Sequence, residues 1–352
     1  MTRLSRRAAV AFLAASLSVI APVAGVTAKQ PAGCETGSAL VFYPNPVVTS
    51  GDTTLTDQKD RDYAALNDER VEVTLTGLDG SGYLRGDWAI VYSETGTPAY
   101  GGPDCTFKYT RHDDRFEQVM AYFWVTKSQE YSQSLGFKGE ESGWPLINGD
   151  RQRVRINQWG IDNSFATTHP RDEMRFGKGG VDDAEDGEVI LHELGHQIHF
   201  SASDDFFASV EAGGVSEGFG DYWAATVTEW ALDEAGIAGQ TDPKCIADWD
   251  AVSYSPSDPP CLRRLDRDLM YPDDITGAVH RDGQIWSHAL WNLRTAIGAT
   301  RADTAILKGQ LGWTGTTMPD LAERIVAQVL ALYGGAQAAL AEAAFQERGI
   351  LP

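Results

Sequence analysis

The chain has 352 residues, 42% of them hydrophobic, which is enough for one large domain or for two lobes that share a cleft. Its 29 Lys and Arg against 50 Asp and Glu give a formal net charge of -21. Such a surface repels polyanions, so nucleic acid is excluded as a partner. The acidity serves first to keep the protein soluble, with a preference for basic substrates as the lesser reading.

At the N-terminus, Arg3, Arg6 and Arg7 lead into an apolar, Ala-rich stretch over 8–23, and Val26-Thr27-Ala28 offers small residues for cleavage. This pattern predicts a secretory signal peptide over 1–28. The stretch is short for a membrane anchor, and no later segment is apolar for long enough to span a bilayer, so no membrane association is expected after cleavage. The pair Arg6-Arg7 after Ser5 leaves both the general and the twin-arginine export routes open. The destination is secreted, extracellular or periplasmic. Four cysteines follow: Cys34, Cys105, Cys245 and Cys261. An even number in an exported chain predicts two disulfides, and no C-x-x-C spacing supports a cysteine-liganded metal. Three pairings are possible; Cys34–Cys105 and Cys245–Cys261 is the expected one, because each pair then stays within one half of the chain.

Residues 29–180 read as a strand-rich segment. "VEVTLTGL" (71–78), "DWAIVYSE" (87–94) and "RVRINQW" (153–159) alternate apolar and polar residues, with one helix expected over 113–137. From 181 to 352 helical periodicity dominates. Asp182 and Asp183 suit the start of a helix that carries "VILHELGHQIHF". Further on, Thr317 with Asp320 three residues later and Pro319 in the first turn mark another helix start, and the Ala-rich end reads as packed helix. The expected fold is α+β, with a strand-rich N-terminal lobe, a helical C-terminal lobe and the two histidines at their junction.

On one helix His192 and His196 lie a turn apart on the same face, so two imidazoles can converge on one ion, and zinc accepts such ligands. Glu193 is rotated by about 100° from His192 and suits a water on the metal better than the metal itself. A helix with two incidental histidines is the competing reading. A third ligand is available in "GGVSEGFGDYWAATV" (213–227), where Glu217 can complete a His, His, Glu set. Asp221 stands four residues later on the same face, placed to accept the second N–H of a ligand histidine. Gly218 and Gly220 are expected to let the two helices approach closely. In "AVHRDGQIWSHALWNL" (278–293), His280 at a loop-to-helix boundary is a candidate donor to an oxyanion. His288, deeper in the run beside Trp286 and Trp291, reads as a packed helix histidine.

HELGH, then GVSEGFGD, then VHRDGQIW resembles the thermolysin-like metallopeptidases, the fungalysin branch in particular. "LVFYPNPV", "FEQVMAYFWVTKSQEYSQSLGF" and the terminal "AFQERGI" extend the resemblance along nearly the whole chain after the leader. The resemblance implies a two-lobed fold and a secreted zinc endopeptidase. Its zinc would be held by His192, His196 and Glu217, with Glu193 as general base, His280 at the oxyanion and Asp221 behind a ligand histidine. It also implies a substrate-binding edge strand in "NSFATTHPRDEMRFGKGG" (163–180), where Asn163 and the backbone of Ser164 would hold an extended peptide or an unfolded protein chain. A monomer is expected. Structural calcium is common among such proteins, and the acidic run 182–188 is where it would bind, although a helix start explains those residues equally well. Three features depart from the pattern. No tyrosine lies between Gln197 and Ser216 to help at the oxyanion, leaving Tyr271 as a loose candidate. Ala166, and not an aromatic, follows Phe165. The stretch between Ala28 and His192 has room only for the strand-rich lobe, so no long propeptide is expected. The rival functions are a non-catalytic secreted binding protein on the same fold and a zinc hydrolase of non-peptide amides.

Overall fold

Alternating burial along short strands builds the first half of the molecule. The computed structural model describes residues 33–352, which form one compact unit. The expected signal peptide over 1–28 and the start of the 29–180 segment lie outside the described residues. Seven strands precede residue 180: β1 (Gly37–Val41), β2 (Val71–Leu75), β3 (Ala89–Ser93), β4 (Thr106–Phe107), β5 (Gln152–Ile156), β6 (Ser164–Thr167) and β7 (Glu173–Phe176). They form a three-stranded sheet in the order β2-β1-β4 and a four-stranded sheet in the order β3-β5-β7-β6. In β5, Gln152, Val154 and Ile156 are buried while Arg153 and Arg155 are half-buried, the period of two that a one-sided strand requires. Strands β3, β5 and β7 run parallel, and β6 closes the sheet as an antiparallel edge with Ser164 opposite Phe176. The candidate peptide-binding residues Asn163 and Ser164 therefore stand at the start of an edge strand.

Helices α1 (Pro46–Ser50), α2 (Ala64–Asp68) and α3 (Arg115–Ser134) lie among these strands. A parallel β3–β5 pair needs a crossover, and α3 supplies it. After residue 180 come α4 (Gly187–Ala202), α5 (Val210–Ala235), α6 (Val279–Ile297), α7 (Ala299–Gln310), α8 (Met318–Tyr333) and α9 (Gly335–Gln346), with the two-residue strands β8 (Cys245–Ile246) and β9 (Arg263–Arg264) between α5 and α6. No described helix is long and apolar enough to cross a membrane. The buried apolar residues form one continuous cluster from Ala39 to Leu351, so both halves share a core. Both expected disulfides are present, Cys34–Cys105 and Cys245–Cys261.

Helix α4 is buried without interruption from Gly187 to His199, so it packs on all sides, and every polar group it carries needs a partner inside the protein. It begins later than the sequence suggests. Asp183–Glu185 form a separate 3-10 turn, and the cap of α4 is Asp186, whose carboxylate accepts the Glu188 N–H at 2.9 Å. Tertiary partners explain the delay. Arg111 Nη2 pairs with Glu185 Oε2 at 2.8 Å, and the Ser164 hydroxyl donates to Asp183. The start of α8 is as expected, with Thr317 accepting from the Asp320 N–H at 3.3 Å, but the Ala-rich tail is two helices, broken at Gly334 with φ 85°.

The two glycines expected to sit between α4 and α5 divide the work. At Gly220 a Cβ would lie 2.7 Å from His192 Nδ1, so this glycine does admit α4. At Gly195, on α4 itself, a Cβ would meet Gly220 Cα at 2.8 Å. Gly218 faces α6 instead, where a Cβ would stand 2.2 Å from the Gly283 carbonyl oxygen. Backbone on both sides cannot yield as a side chain would. Gly218→Ala is thus expected to destabilise the protein by about 2 kcal/mol or more through overpacking, read from the urea unfolding midpoint; an unchanged midpoint would contradict the close packing of α5 on α6.

Candidate metal centre

Helix periodicity places the three expected ligands. His192 and His196 follow each other by one turn on α4, and α5 crosses at the glycines and presents Glu217. All three are buried, and one potential ligand atom from each lies within 4.8 Å of the others. His192 Nε2 stands 3.4 Å from Glu217 Oε2, and His196 Nε2 stands 3.6 Å from Glu217 Oε1. For zinc with ligand distances near 2.1 Å, a tetrahedral edge is about 3.4 Å, so these separations suit the ion. A second observation agrees: Glu217 Oε2 is buried and has no hydrogen-bond partner.

Both histidines turn Nε2 toward Glu217 and use Nδ1 for support. His192 Nδ1 is 2.9 Å from Asp221 Oδ1, so Asp221 accepts from it. His196 Nδ1 is 2.8 Å from Ser216 Oγ, and the same hydroxyl is 3.1 Å from His199 Nδ1. With Nε2 of His196 kept free, its Nδ1–H donates to Ser216, whose own proton can go on to His199. Burial holds His199 well below the usual histidine range, so it stays a neutral acceptor between the stacked rings of Phe206 and Phe219.

The charges near these groups come from a residue that no local motif announced. Arg263, on β9, donates from Nε to Asp221 Oδ2 at 2.7 Å and from Nη2 to Asp221 Oδ1 at 2.8 Å. Its Nη2 also lies 3.2 Å from both ring nitrogens of His192, a position over the ring face and in line with neither lone pair. Burial opposes the charge of Glu217, yet His196, His192 and Arg263 together hold its carboxyl well below the usual range. Burial and Arg263 oppose the charge of His192, but Asp221 and Glu217 outweigh them and raise it to about 9. Burial lowers His196 to about 4. An ion at this centre would have to displace the proton that Asp221 and Glu217 hold on His192, so its affinity is expected to fall as the pH drops.

Glu193 is the next residue on α4, and it points into the same cleft, a cavity of about 320 Å3. It is 6% exposed, its Oε2 has no hydrogen-bond partner, and burial, reinforced by the charges of Glu217 and Asp183, raises it to about 7. His280, second residue of α6, is 68% exposed and reaches the rim, with Nε2 at 3.5 Å from Glu217 Oε2. Asn163 and Ser164 line the opposite wall. The Asn163 carbonyl accepts from the Gly177 N–H and from Trp159 Nε1, both at 3.2 Å. His288 stays away from the cleft, its Nδ1 at 2.9 Å from the Arg267 carbonyl. Tyr271 is turned toward Glu211 and does not line the cleft; the tyrosine that does is Tyr254, whose hydroxyl donates to Asp250 Oδ2 at 2.6 Å. Arg263 carries no local signal because its partner Asp221 lies 42 positions away, and Tyr254 because it stands in a stretch without periodicity. The one available signal was the Cys245–Cys261 loop, which fixes the segment that carries them.

The acidic run 182–188 does not converge on one point, and no calcium site emerges from it. Glu185 is held by Arg111, Asp186 caps α4, and Glu188 accepts the Ala247 N–H at 2.8 Å. Asp183 joins the carboxylates of Asp162 and Asp250 instead, and Asp182 faces Glu117.

No protein-family model matches the chain, and no curated protein does. Among solved structures, 21 chains match. One is the precursor of protealysin, a metalloproteinase from Serratia proteamaculans, with a TM-score of 0.53 and 16% identity over 74% of this chain and 87% of that one. At that identity the likeness is one of fold.

The geometry around His192 makes Asp221 testable. Asp221→Asn removes the carboxylate that accepts from Nδ1, and zinc affinity measured against a competing chelator is expected to fall by roughly 10- to 100-fold with all three ligands in place. An unchanged affinity would mean that Asp221 serves only to hold Arg263.

Proposed function

We propose that the protein is an exported zinc endopeptidase of the thermolysin-like kind. Its ion would be held by His192, His196 and Glu217, and its substrates would be peptides or unfolded protein chains. The observation that carries this reading is the Glu193 carboxylate: buried, one residue from a candidate ligand, and with an unpartnered oxygen in the cleft. A structural metal site has no use for a base there. The fold shared with a metalloproteinase supports the reading, as do two disulfides and a leader of secretory composition.

Zinc bound at this centre supplies Lewis-acid activation of a water and of an amide carbonyl. The chain's own groups do the rest. Glu193, raised to about 7, is matched to take a proton from the attacking water near neutral pH and to hand it to the departing nitrogen. His280 sits at the mouth of the cleft, free to turn its ring N–H toward the oxygen on which charge develops. Asp221 fixes the tautomer of His192, and Ser216 that of His196. An extended peptide would pair along the open edge of β6 beside Asn163 and Ser164, which aligns the scissile bond without any demand on sequence.

Glu193→Gln tests the assignment. The amide keeps the volume and cannot accept the proton, so casein hydrolysis is expected to fall by at least about 100-fold, with the zinc content by elemental analysis unchanged. Hydrolysis at the wild-type rate would overturn the mechanism; loss of zinc along with activity would make Glu193 a structural residue.

A further inference from the structure

The cleft continues past Glu193 into a region where negative charge is left without an answer. Asp162, on the turn before β6, Asp183, in the 3-10 turn before α4, and Asp250, in the loop after β8, each offer a carboxylate oxygen within 4.8 Å of the others. All three line the same cavity as His192, Glu193 and His280. Asp183 and Asp250 are 2% and 5% exposed. Each spends one oxygen on a hydroxyl, Asp183 on Ser164 and Asp250 on Tyr254. The remaining oxygen of each, Oδ1, is buried and has no hydrogen-bond partner. Several buried acids nearby are instead fully tied to partners. Glu185 faces Arg111, Asp186 accepts from Asn45 and two backbone N–H groups, and Asp221 faces Arg263. The one arginine that lines this cleft, Arg263, is committed to Asp221 through three hydrogen bonds.

We infer that Asp162, Asp183 and Asp250 form a side-chain pocket for a cationic residue, Lys or Arg, adjoining the bond that is cut. The inference rests on the peptidase reading above and adds its substrate class. Three oxygens this close can all bond to one ammonium or guanidinium group, and charge-assisted bonds of that kind are short and strong. The walls suit the rest of such a side chain: Val189 and Leu262 line the same cavity and give the methylene stem an apolar surface. The entrance lies where Asn163 and Ser164 open the edge strand, so a peptide paired there would send a side chain inward. The electrostatics agree. Burial raises Asp162 to about 6, and burial aided by the charge of Asp162 raises Asp183 to about 7. Burial and the charge of Asp183 push Asp250 upward as well. An incoming cation would relieve that repulsion and desolvation.

The test uses the full exported protein loaded with zinc and a set of peptides, identical except that Lys, Arg or norleucine stands at each position flanking the cleaved bond. Norleucine keeps the stem and lacks the charge. At one flanking position kcat/KM is expected to favour Lys over norleucine by about 100-fold, as for a site whose buried polar groups go unpaired with the wrong ligand. In the Asp183→Asn/Asp250→Asn double variant that ratio is expected to fall by at least about tenfold. Binding of the same peptides to the zinc-loaded Glu193→Gln protein reads the pocket independently of turnover. Cleavage with no preference for Lys or Arg at either position would overturn the pocket and leave the peptidase standing. Tighter binding of the Lys peptide with no cleavage by the wild type would do the reverse. One calcium ion bound per chain, lost in Asp250→Asn, with no discrimination among the peptides, would overturn the inference in favour of a metal-filled cluster.

Discussion

The crossing of α4 on α5 without intervening Cβ atoms is the constraint on which the site depends. Gly195 and Gly220 meet backbone to backbone, and only because they do can a histidine on one helix and a carboxylate on the other come within 3.4 Å while both helices stay buried. The same crossing sets a demand. Two buried helices facing each other with polar side chains must satisfy every one of those groups internally, since water cannot. Asp221, Ser216 and Arg263 meet much of that demand from behind the two histidines.

The same demand falls on the acids generally. The interior carries many carboxylates around the start of α4, and several of them are tied: Glu185 to Arg111 and Trp249, Asp186 to Asn45 and the Asp250 N–H, Glu188 to the Ala247 N–H. Burying a carboxylate without such partners costs free energy that raises its pKa. Glu193, Asp183 and Asp250 each keep a bare oxygen and line one cleft, while Asp248, Asp182 and Glu117 carry bare oxygens elsewhere in the interior. A protein stabilised only for folding would exchange such groups for apolar ones. Those that line the cleft are what the proposed proton carrier and cation pocket would require.

Features of the site written in local spacing were legible beforehand. His192 and His196 are separated by four, as are Glu217 and Asp221, and helix geometry alone converts those separations into shared faces. The Thr317 cap and the two disulfides depend likewise on local chemistry or on chain economy. What the sequence withheld depends on tertiary contacts. Asp182 and Asp183 have the composition of a helix start, but Arg111 and Ser164, distant in the chain, hold the following residues in a 3-10 turn, and Asp186 becomes the cap. Gly218 carries the same spacing signal as Gly220 and serves a different helix. Arg263 sits 46 positions after Glu217, in a segment with no periodicity, so nothing short of the fold could bring it to Asp221.

The Cys245–Cys261 loop then takes on a second meaning. On grounds of chain entropy it stabilises by restricting the unfolded state. In the folded protein it also closes the segment that supplies Asp250 and Tyr254, while its last residue stands two positions before Arg263. Cys245 and Arg264 are paired across β8 and β9, so the covalent link and the short ladder restrain the same stretch. One end of that stretch holds the guanidinium that supports His192 through Asp221; the other holds Asp250, which lines the cleft and keeps one oxygen unpartnered. The support of the candidate metal centre and the wall of the proposed pocket are thus one stapled element. A change in the register of β8 on β9 would displace Arg263 and Asp250 together, so on the proposed reading it would alter ion affinity and substrate selectivity at once.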